Sequence, residues 1–463
     1  MNFRNANSLN NRVNLLSGNL LPIEDSDSKF PLSWRVHNVV IWLIELIHTV
    51  ALVFGLILVP REKALNDGTV CVVVLMEASF MLSRLYARRK LLSRVVDTLD
   101  SILREADETM KDLVRSTLSP ITKMFTVYCL VSVTTITIWT VQPVTIAFDK
   151  GAFFYVDYNL PAAFTSEPFS RGVLIASSVV MTIGSVFLFL KKFGVDVYMM
   201  HIVLILTVQY RYIGRKLTLL FRDLQGDNRV DGLCDKRFHL KADWRTKREL
   251  RALCQHHNTV LRISIMLKKL LSVNFSLLYV NSVFRFCFIS ILMSTVPSMN
   301  LSEGISVLLF AFGSAMQFFL LCFSVQTLSD ASTEITDTAF NENWYQYGSS
   351  IKRIFLLLIM TNNLECKIAA IEKFNLSLPS FMTVKHIDIH NRYLRCFTLR
   401  YRLAVFGILP AKLLKYFNLT MLLDHESIIF DRTFVSKSEL NTTRDTSLKY
   451  DGYKTTGPYF INQ

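Results

Sequence analysis

The sequence RGVLIASSVVMTIGSVFLFL (171–190), followed by KKFGVDV (191–197) and YMMHIVLILTVQY (198–210), decides the topology of this chain. The two apolar runs could be two membrane crossings, because Lys191, Lys192 and Asp196 lie between them. Two crossings would place the next loop, with its fifteen Lys and Arg residues over 211–269, outside the cell. Since basic loops stay cytoplasmic, the sequence predicts one long helix that continues from the membrane into the cytoplasm.

The other loops alternate between rich in basic residues and nearly free of them. Residues 84–123 hold nine Lys and Arg, whereas 61–68, 149–170 and 297–302 together hold three. A membrane-spanning helix needs about 20 apolar residues, and six segments qualify: 38–60, 69–88, 121–148, 171–195, 270–296 and 303–327. The predicted fold class is all-α, a multi-pass membrane helical bundle of six clear spans with a cytoplasmic amino terminus.

The composition agrees with a bundle in lipid. Of 463 residues, 51% are hydrophobic and only 19% are charged, against about 25% charged in soluble domains. The net charge of +14 comes from basic residues beside apolar spans, where they meet lipid headgroups, so no nucleic acid is expected. The eight cysteines have no paired spacing, and neither a disulfide framework nor a metal site is predicted. The first apolar run begins too late for a cleaved signal peptide.

Two cytoplasmic segments have distinct patterns. Apolar residues recur at helical spacing from Leu92 to Leu113, which predicts an amphipathic helix packed on its own bundle. Residues 226–250 are polar, charged and contain glycine, which is typical of a flexible loop.

Few polar groups lie within the predicted spans, and each has two interpretations. Glu45, His48 and Glu77 could contact a ligand or ions, or they could pair inside the bundle. Arg285 lies near the middle of the fifth span and should face the protein interior. It could line a pore vestibule or orient a ligand, or it could be the buried partner of Glu45 or Glu77.

Aromatic and sulfur-bearing side chains are frequent in the outer halves of the spans. Such groups, with a few hydroxyls, suit a small volatile apolar ligand, although similar stripes also arise from helix packing in lipid. The candidate ligand-binding residues are Met76, Trp139, Ser177, Met181, Phe286, Ser290 and Phe310.

Enzyme signatures are missing from the sequence. There is no Walker loop, GxSxG, HExxH or glycine-rich dinucleotide loop, and the adjacent His256 and His257 would diverge on a helix. The chain is therefore predicted not to be an enzyme, and no cofactor is expected. Asn300 begins a glycosylation sequon in a loop that the charge pattern places outside.

The carboxy-terminal third contains SVQTLSDASTEITDTAFNENWYQYGSSIKRIFLLLIMTNNLECKIAAIEKFNLSLPSFMTVK (324–385). This segment resembles the corresponding region of insect odorant receptors. The matching residues are Ala339-Phe340, Trp344, Lys352-Arg353, the run from Phe355 to Met360, Ala369, and Phe374-x-Leu376-x-Leu378-x-x-Phe381-x-x-Val384.

The resemblance implies a seven-span receptor that works as an odorant-gated cation channel in olfactory sensory transduction. In this family a variable ligand-binding subunit assembles with a common co-receptor subunit into a tetramer, in the plasma membrane of olfactory sensory neuron dendrites. The residues from Trp344 to Ala370, with Lys352 among them, would form the subunit-anchoring helix. Phe381 and Val384 would begin the pore helix.

The sequence departs from this family after Lys385. The family continues there with an apolar seventh span, whereas HIDIHNRYLRCFTLRYRLAVFGIL (386–409) carries charges on every helical face. Each central charge costs about 2.5–3.5 kcal/mol on insertion scales. We therefore predict an amino terminus (1–37), a receptor domain (38–385) with an incomplete seventh span, and an atypical, poorly ordered basic tail (386–463), which is an alternative or mistaken ending.

Other functions remain as alternatives. A gustatory-type channel subunit is the nearest, but the TYxxxxxQF-type ending is absent. A non-conducting receptor variant would follow if the tail replaces the pore. A G-protein-coupled receptor is disfavoured by the inside amino terminus, and a secondary transporter by the lack of internal repeats.

Overall fold

The computed structural model describes residues 1–6, 8–23, 31–148, 151–230, 236–295, 301–341, 349–362, 369–371 and 374–375. These residues form ten α-helices and one short antiparallel hairpin. The helices are α1 (Phe3–Ala6), α2 (Ser8–Leu16), α3 (Leu32–Leu58), α4 (Arg61–Ala87), α5 (Arg89–Arg104), α6 (Glu108–Ile146), α7 (Arg171–Val230), α8 (Lys236–Thr295), α9 (Leu301–Asn341) and α10 (Ser349–Asn362). The hairpin pairs β1 (Ala369–Ile371) with β2 (Phe374–Asn375).

Five helices within the described residues are long and apolar enough to cross a membrane, and they lie within α3, α6, α7, α8 and α9. They correspond to five of the six predicted spans. The second predicted span, 69–88, lies in α4, a helix of 27 residues that is not one of these five. Its crossing therefore stays a prediction, and the seventh span lies outside the described residues.

The prediction of one long fourth helix is confirmed. Helix α7 has 60 residues, about 90 Å at 1.5 Å per residue, and it passes through Lys191, Lys192 and Asp196 without a break. Every residue from 191 to 210 is buried. A helix that is covered on all sides lies at the centre of its bundle, and α7 indeed contacts α2, α3, α4, α6, α8 and α9.

The predicted amphipathic segment forms two helices instead of one. Leu92, Val95, Val96, Leu99 and Leu103 are all buried on one side of α5, which packs on the bundle as expected. Helix α5 ends at Arg104, and Asp107 caps the amino-terminal end of the next helix, α6.

Asp107 begins α6 and connects it to Tyr212 and Lys216 of α7. Its carboxylate accepts hydrogen bonds from the Met110 amide (2.9 Å) and the Tyr212 hydroxyl (3.2 Å), and Lys216 Nζ lies 2.8 Å away. Partial burial acts to raise the pKa of Asp107, but the Lys216, Met110 and Tyr212 contacts hold it below its usual value. The capping bond explains the break in the amphipathic helix.

The prediction of a flexible loop over 226–250 is wrong for the residues that the structure describes there. Helix α7 continues to Val230, and α8 begins at Lys236. Apart from Gly226 and Gly232, the segment is rich in Lys, Arg, Leu and other residues that tolerate helix, and it has no proline. A polar segment with few helix breakers can thus extend two membrane helices into water.

The amino-terminal residues pack on one end of the bundle, which we call the inner end. Asn14 Nδ2 donates to the Leu21 carbonyl, and the Leu21 amide donates to Asn14 Oδ1, at 3.1 Å each. Asn19 Nδ2 donates to the Lys191 carbonyl (2.9 Å), and the Tyr198 hydroxyl donates to the Pro22 carbonyl (2.6 Å). Through these bonds, residues 14–22 cover the centre of α7.

The opposite end of the bundle is covered by residues 151–170, and we call it the outer end. There the Ala163 amide donates to the Ala51 carbonyl of α3 (3.1 Å). Gly55 allows this close approach, because an added Cβ would lie 2.3 Å from the Ala162 backbone nitrogen.

Replacing Gly55 with Ala should therefore destabilise the outer end. A Gly-to-Ala change inside a helix normally stabilises the helix by about 1 kcal/mol. Here a backbone contact this short cannot relax without displacing the loop. We expect a lower melting temperature in detergent. Gly214→Ala in α7 is the matched control, because its Cβ would meet only Ile335 Cγ1 at 3.9 Å. If both variants melt alike, the outer loop does not pack on Gly55.

Candidate functional site

A cavity of about 140 Å³ lies between α4, α6, α7, α8 and α9, beside the outer loop. Most of its lining is apolar or aromatic. It is lined by Cys71, Val74, Tyr128, Ser132, Thr135, Ile136, Trp139, Thr140, Leu160, Ser185, Leu188, Phe189, Lys192, Arg285, Leu309, Phe310, Gly313, Ser314 and Gln317.

The lining changes in character along the bundle axis. Trp139 and Phe310 lie towards the outer end, while Tyr128, Lys192 and Gln317 lie towards the inner end. Tyr128 and Trp139 are eleven residues apart on α6, about 16 Å along its axis. The cavity is therefore a slot with an apolar outer part and a polar floor.

Aromatic rings form much of the wall. The Trp139 and Phe310 rings meet edge to face with centroids 6.5 Å apart. Phe189 stacks on Phe193 at 5.8 Å and meets Tyr128 edge to face at 5.9 Å. These ring contacts fix the wall and leave aromatic surface for dispersion contacts with an apolar ligand.

The hydroxyls of the wall are mostly engaged with their own helices. Thr135 and Thr140 each donate to the carbonyl four residues earlier, Val131 and Ile136, at 2.7 Å. Ser185 Oγ lies 3.1 Å from Nε2 of the buried His48. These groups give the wall little donor capacity.

A buried ionic cluster forms the floor. Lys192 Nζ lies 2.9 Å from Glu77 and 2.9 Å from Asp196, and Arg285 contacts Glu77 at 2.6 Å. Gln317 accepts from Arg285 and donates to Asp196 at 2.7 Å. Two carboxylates balance two cations, as buried charges require. Of the two partners that the sequence offered for a buried Arg285, Glu77 is the one that it contacts.

Glu45 belongs to a separate pair. Its carboxylate contacts Lys191 at 2.5 Å, and Lys191 Nζ lies 3.3 Å from the centroid of the Trp42 ring. The consecutive lysines of α7 therefore pair with different helices: Lys191 contacts Glu45 of α3, and Lys192 contacts Glu77 of α4.

Two of the seven predicted ligand residues, Trp139 and Phe310, line the cavity. Met76 is 49% exposed, and Met181 lies in a separate apolar cluster at the outer end. The Ser177 hydroxyl donates to the Val173 carbonyl (2.6 Å).

Phe286 and Ser290 also lie outside the lining. Phe286 packs edge to face on Phe318 at 5.8 Å, and Ser290 donates to the Phe286 carbonyl at 3.1 Å. The ligand-binding role of all seven residues stays a prediction.

The remaining predicted residues lie towards the carboxy-terminal part of the chain. Lys352 is partly exposed on α10. Asn300, Trp344, Phe381 and Val384 lie outside the described residues.

The sequence interpretation missed the floor as part of a site. In the sequence, Lys192 bears only on the number of membrane crossings, and neither Gln317 nor Tyr128 is a predicted site residue. A polar residue in an apolar span is a functional signal in itself, and Gln317 in the sixth span carried that signal.

Comparisons with known proteins point to one family. The family model described as 7tm Odorant receptor matches residues 63–386. Among curated proteins of Drosophila melanogaster, Odorant receptor 22c is 22% identical over 175 residues, 38% of this chain and 41% of that protein. Odorant receptor 85c is 27% identical over 121 residues, 26% of this chain and 31% of that protein. The matched segments thus span less than half of these relatives.

Solved structures share the fold over a longer range. The insect olfactory receptor OR5 from Machilis hrabei matches with a TM-score of 0.65 at 12% identity, covering 88% of this chain and 99% of that one. Its complex with eugenol matches with a TM-score of 0.64 at 13% identity, covering 86% and 99%.

Proposed function

Since this chain belongs to the 7tm odorant receptor family, we propose that it is the ligand-binding subunit of an odorant-gated cation channel in olfactory sensory transduction. The observation that carries the proposal is the cavity between five helices, with Trp139 and Phe310 in its apolar part. A mostly apolar cavity with a few convergent polar groups is the usual form of a small-molecule site. The OR5 structure with eugenol supports an odorant as the ligand.

The arrangement of the helices suggests how binding reaches the channel. Helices α8 and α9 both contribute to the cavity and both contact α10. At the inner end, the Phe355 ring of α10 meets Phe221 of α7 edge to face at 5.4 Å. A ligand that binds better to one packing of these helices would shift the population towards it.

The partners and the location belong to the same proposal. We infer assembly with an odorant co-receptor subunit in a hetero-tetramer, through the region of Lys352 and Trp344. The pore would involve Phe381 and Val384. The lipid bilayer would be the plasma membrane of olfactory sensory neuron dendrites.

A second candidate, a non-conducting receptor variant, is favoured by the charges after Lys385. Asp388, Arg392, Arg395, Arg400 and Arg402 fall where an apolar span is expected. Such a subunit would bind odorant without contributing its share of the pore.

One experiment tests both candidates. The full chain is expressed with a co-receptor, and odorant-evoked current is recorded alongside a chimera whose residues 386–463 are replaced by an apolar seventh helix. The non-conducting candidate predicts a current from the chimera at least tenfold above that of the native chain, whereas the leading proposal predicts similar currents from both. Equal currents would mean that the native tail supports conduction. No odorant-specific current from either, with both at the cell surface, would contradict the channel proposal.

A further inference from the structure

The floor of the cavity differs from its walls because it presents cationic donors. From this we propose that the site selects small neutral volatiles whose carbon skeleton ends in one hydrogen-bond acceptor, such as a ketone or aldehyde oxygen. The oxygen lies at Lys192 and Arg285, and the skeleton lies against Phe189 and the apolar wall. The inference rests on the proposed odorant-binding function.

Spare donor capacity remains at the floor. Arg285 is 8% exposed and lines the cavity, and its Nε is buried without a hydrogen-bond partner. Lys192 is 1% exposed, also lines the cavity, and directs its ammonium to Glu77 and Asp196. An ammonium has three N–H donors, so one remains. A buried donor without a partner costs free energy that an acceptor would recover.

The acceptors of the cluster face elsewhere. Lys192, Arg285 and Gln317 line the cavity, whereas Glu77 and Asp196 do not. One Glu77 oxygen already accepts from Asn281 and Arg285, and one Asp196 oxygen accepts from Gln317. A ligand at the floor therefore meets the donors of Lys192, Arg285 and Gln317, because neither carboxylate lines the cavity.

The charge balance selects a neutral acceptor over an anion. The two cations of the floor are already neutralised by two carboxylates. A ligand carboxylate would lose its hydration without meeting a net positive charge, which is costly in an apolar site. A carbonyl oxygen loses far less hydration and gains a charge-assisted hydrogen bond.

The volume of the cavity limits the size of the ligand's carbon skeleton. At about 140 Å³, the cavity is close to the size of an apolar protein cavity of about 150 Å³ that holds benzene. One six-membered ring or a short chain with its oxygen therefore fits.

Matched ligand pairs test the proposal on the unaltered protein. Acetophenone is compared with α-methylstyrene, and cyclohexanone with methylenecyclohexane, so that C=O is exchanged for C=CH2 in the same skeleton. The readouts are odorant-evoked current with a co-receptor and thermal stabilisation of the purified full chain. A hydrogen bond to a charged donor predicts a roughly 10- to 100-fold lower half-maximal concentration for the carbonyl member.

The outcomes separate this inference from the proposed function. A carbonyl preference in the active pairs supports it. Equal or better responses to the hydrocarbons, or activation only by odorants that lack an acceptor, would overturn it and leave the receptor function standing. Absence of both binding and current across these pairs and a wider odorant panel would overturn the proposed function and the inference together.

A conservative variant locates the donor. Arg285→Lys keeps the charge but removes Nε and the planar guanidinium. It should therefore reduce the preference for the carbonyl ligands without weakening the response to the hydrocarbons. Arg115→Lys is the control, because Arg115 is 71% exposed. Should Arg285→Lys fail to reach the surface, the wild-type ratios still decide the proposal.

Discussion

The full chain with Lys192→Met should fail to accumulate at the cell surface, and its purified form should lose several degrees of thermal stability or more. Lys192 is the ammonium between Glu77 and Asp196, both within 2.9 Å and both almost fully buried. Methionine has a similar length and is apolar, so the change removes the charge with little loss of volume. Asp196 is then left without its cation in the centre of the bundle.

The expected cost is large because a buried charge is left uncompensated. Removing one partner of a buried ion pair costs about 3–5 kcal/mol, which is a large fraction of the roughly 5–15 kcal/mol that holds a typical domain together. The measurements are surface labelling in cells and the melting temperature in detergent.

An exposed ion pair supplies the matched control. Arg115 and Asp112 lie 3.8 Å apart with side chains about 70% exposed, and such pairs contribute about 0–1 kcal/mol. Arg115→Met should therefore behave like the wild type. The double variant Lys192→Met with Asp196→Asn restores the charge balance and should recover part of the loss. If Lys192→Met is as stable as Arg115→Met, the floor is not a compensated ionic cluster.

The membrane helices could be predicted from the sequence because the lipid environment imposes simple rules. A span must be long and apolar, and basic loops stay inside. These rules predicted one helix through Lys191 and Lys192 against the local evidence of three charges in a row of apolar residues. The structure shows why those charges are tolerated: Lys191 and Lys192 each meet a carboxylate from a neighbouring helix.

The cavity was only partly predictable, because it depends on which side of each helix faces the bundle. Trp139 and Phe310 were identified by residue type, but Met76 and Met181 share that type and lie elsewhere. A single sequence reports apolar character on all sides of a lipid-embedded helix, so the inward face has no hydrophobic signature. The polar residues Lys192, Arg285 and Gln317 mark the inward face instead, since lipid excludes them.

Filling the cavity from α9 should abolish the odorant response without preventing assembly. Gly313 lines the cavity, and an added Cβ would meet only the Ser132 hydroxyl oxygen, at 3.1 Å. In Gly313→Leu the remaining side-chain atoms must therefore occupy the space of the ligand. We expect a loss of sensitivity of about 100-fold or more, since displaced ligand contacts of about 3 kcal/mol correspond to that factor.

Stability should change much less than sensitivity in this variant. Overpacking lowers the free energy of unfolding by about 1–3 kcal/mol, while replacing glycine within a helix raises it by up to about 1 kcal/mol. Gly172→Leu in α7 is the control, because nothing lies within 4 Å of its added Cβ, and it should respond normally. Surface labelling must show both variants at wild-type abundance. A Gly313→Leu receptor with full odorant sensitivity would place the ligand outside this cavity, because leucine and odorant cannot share about 140 Å³.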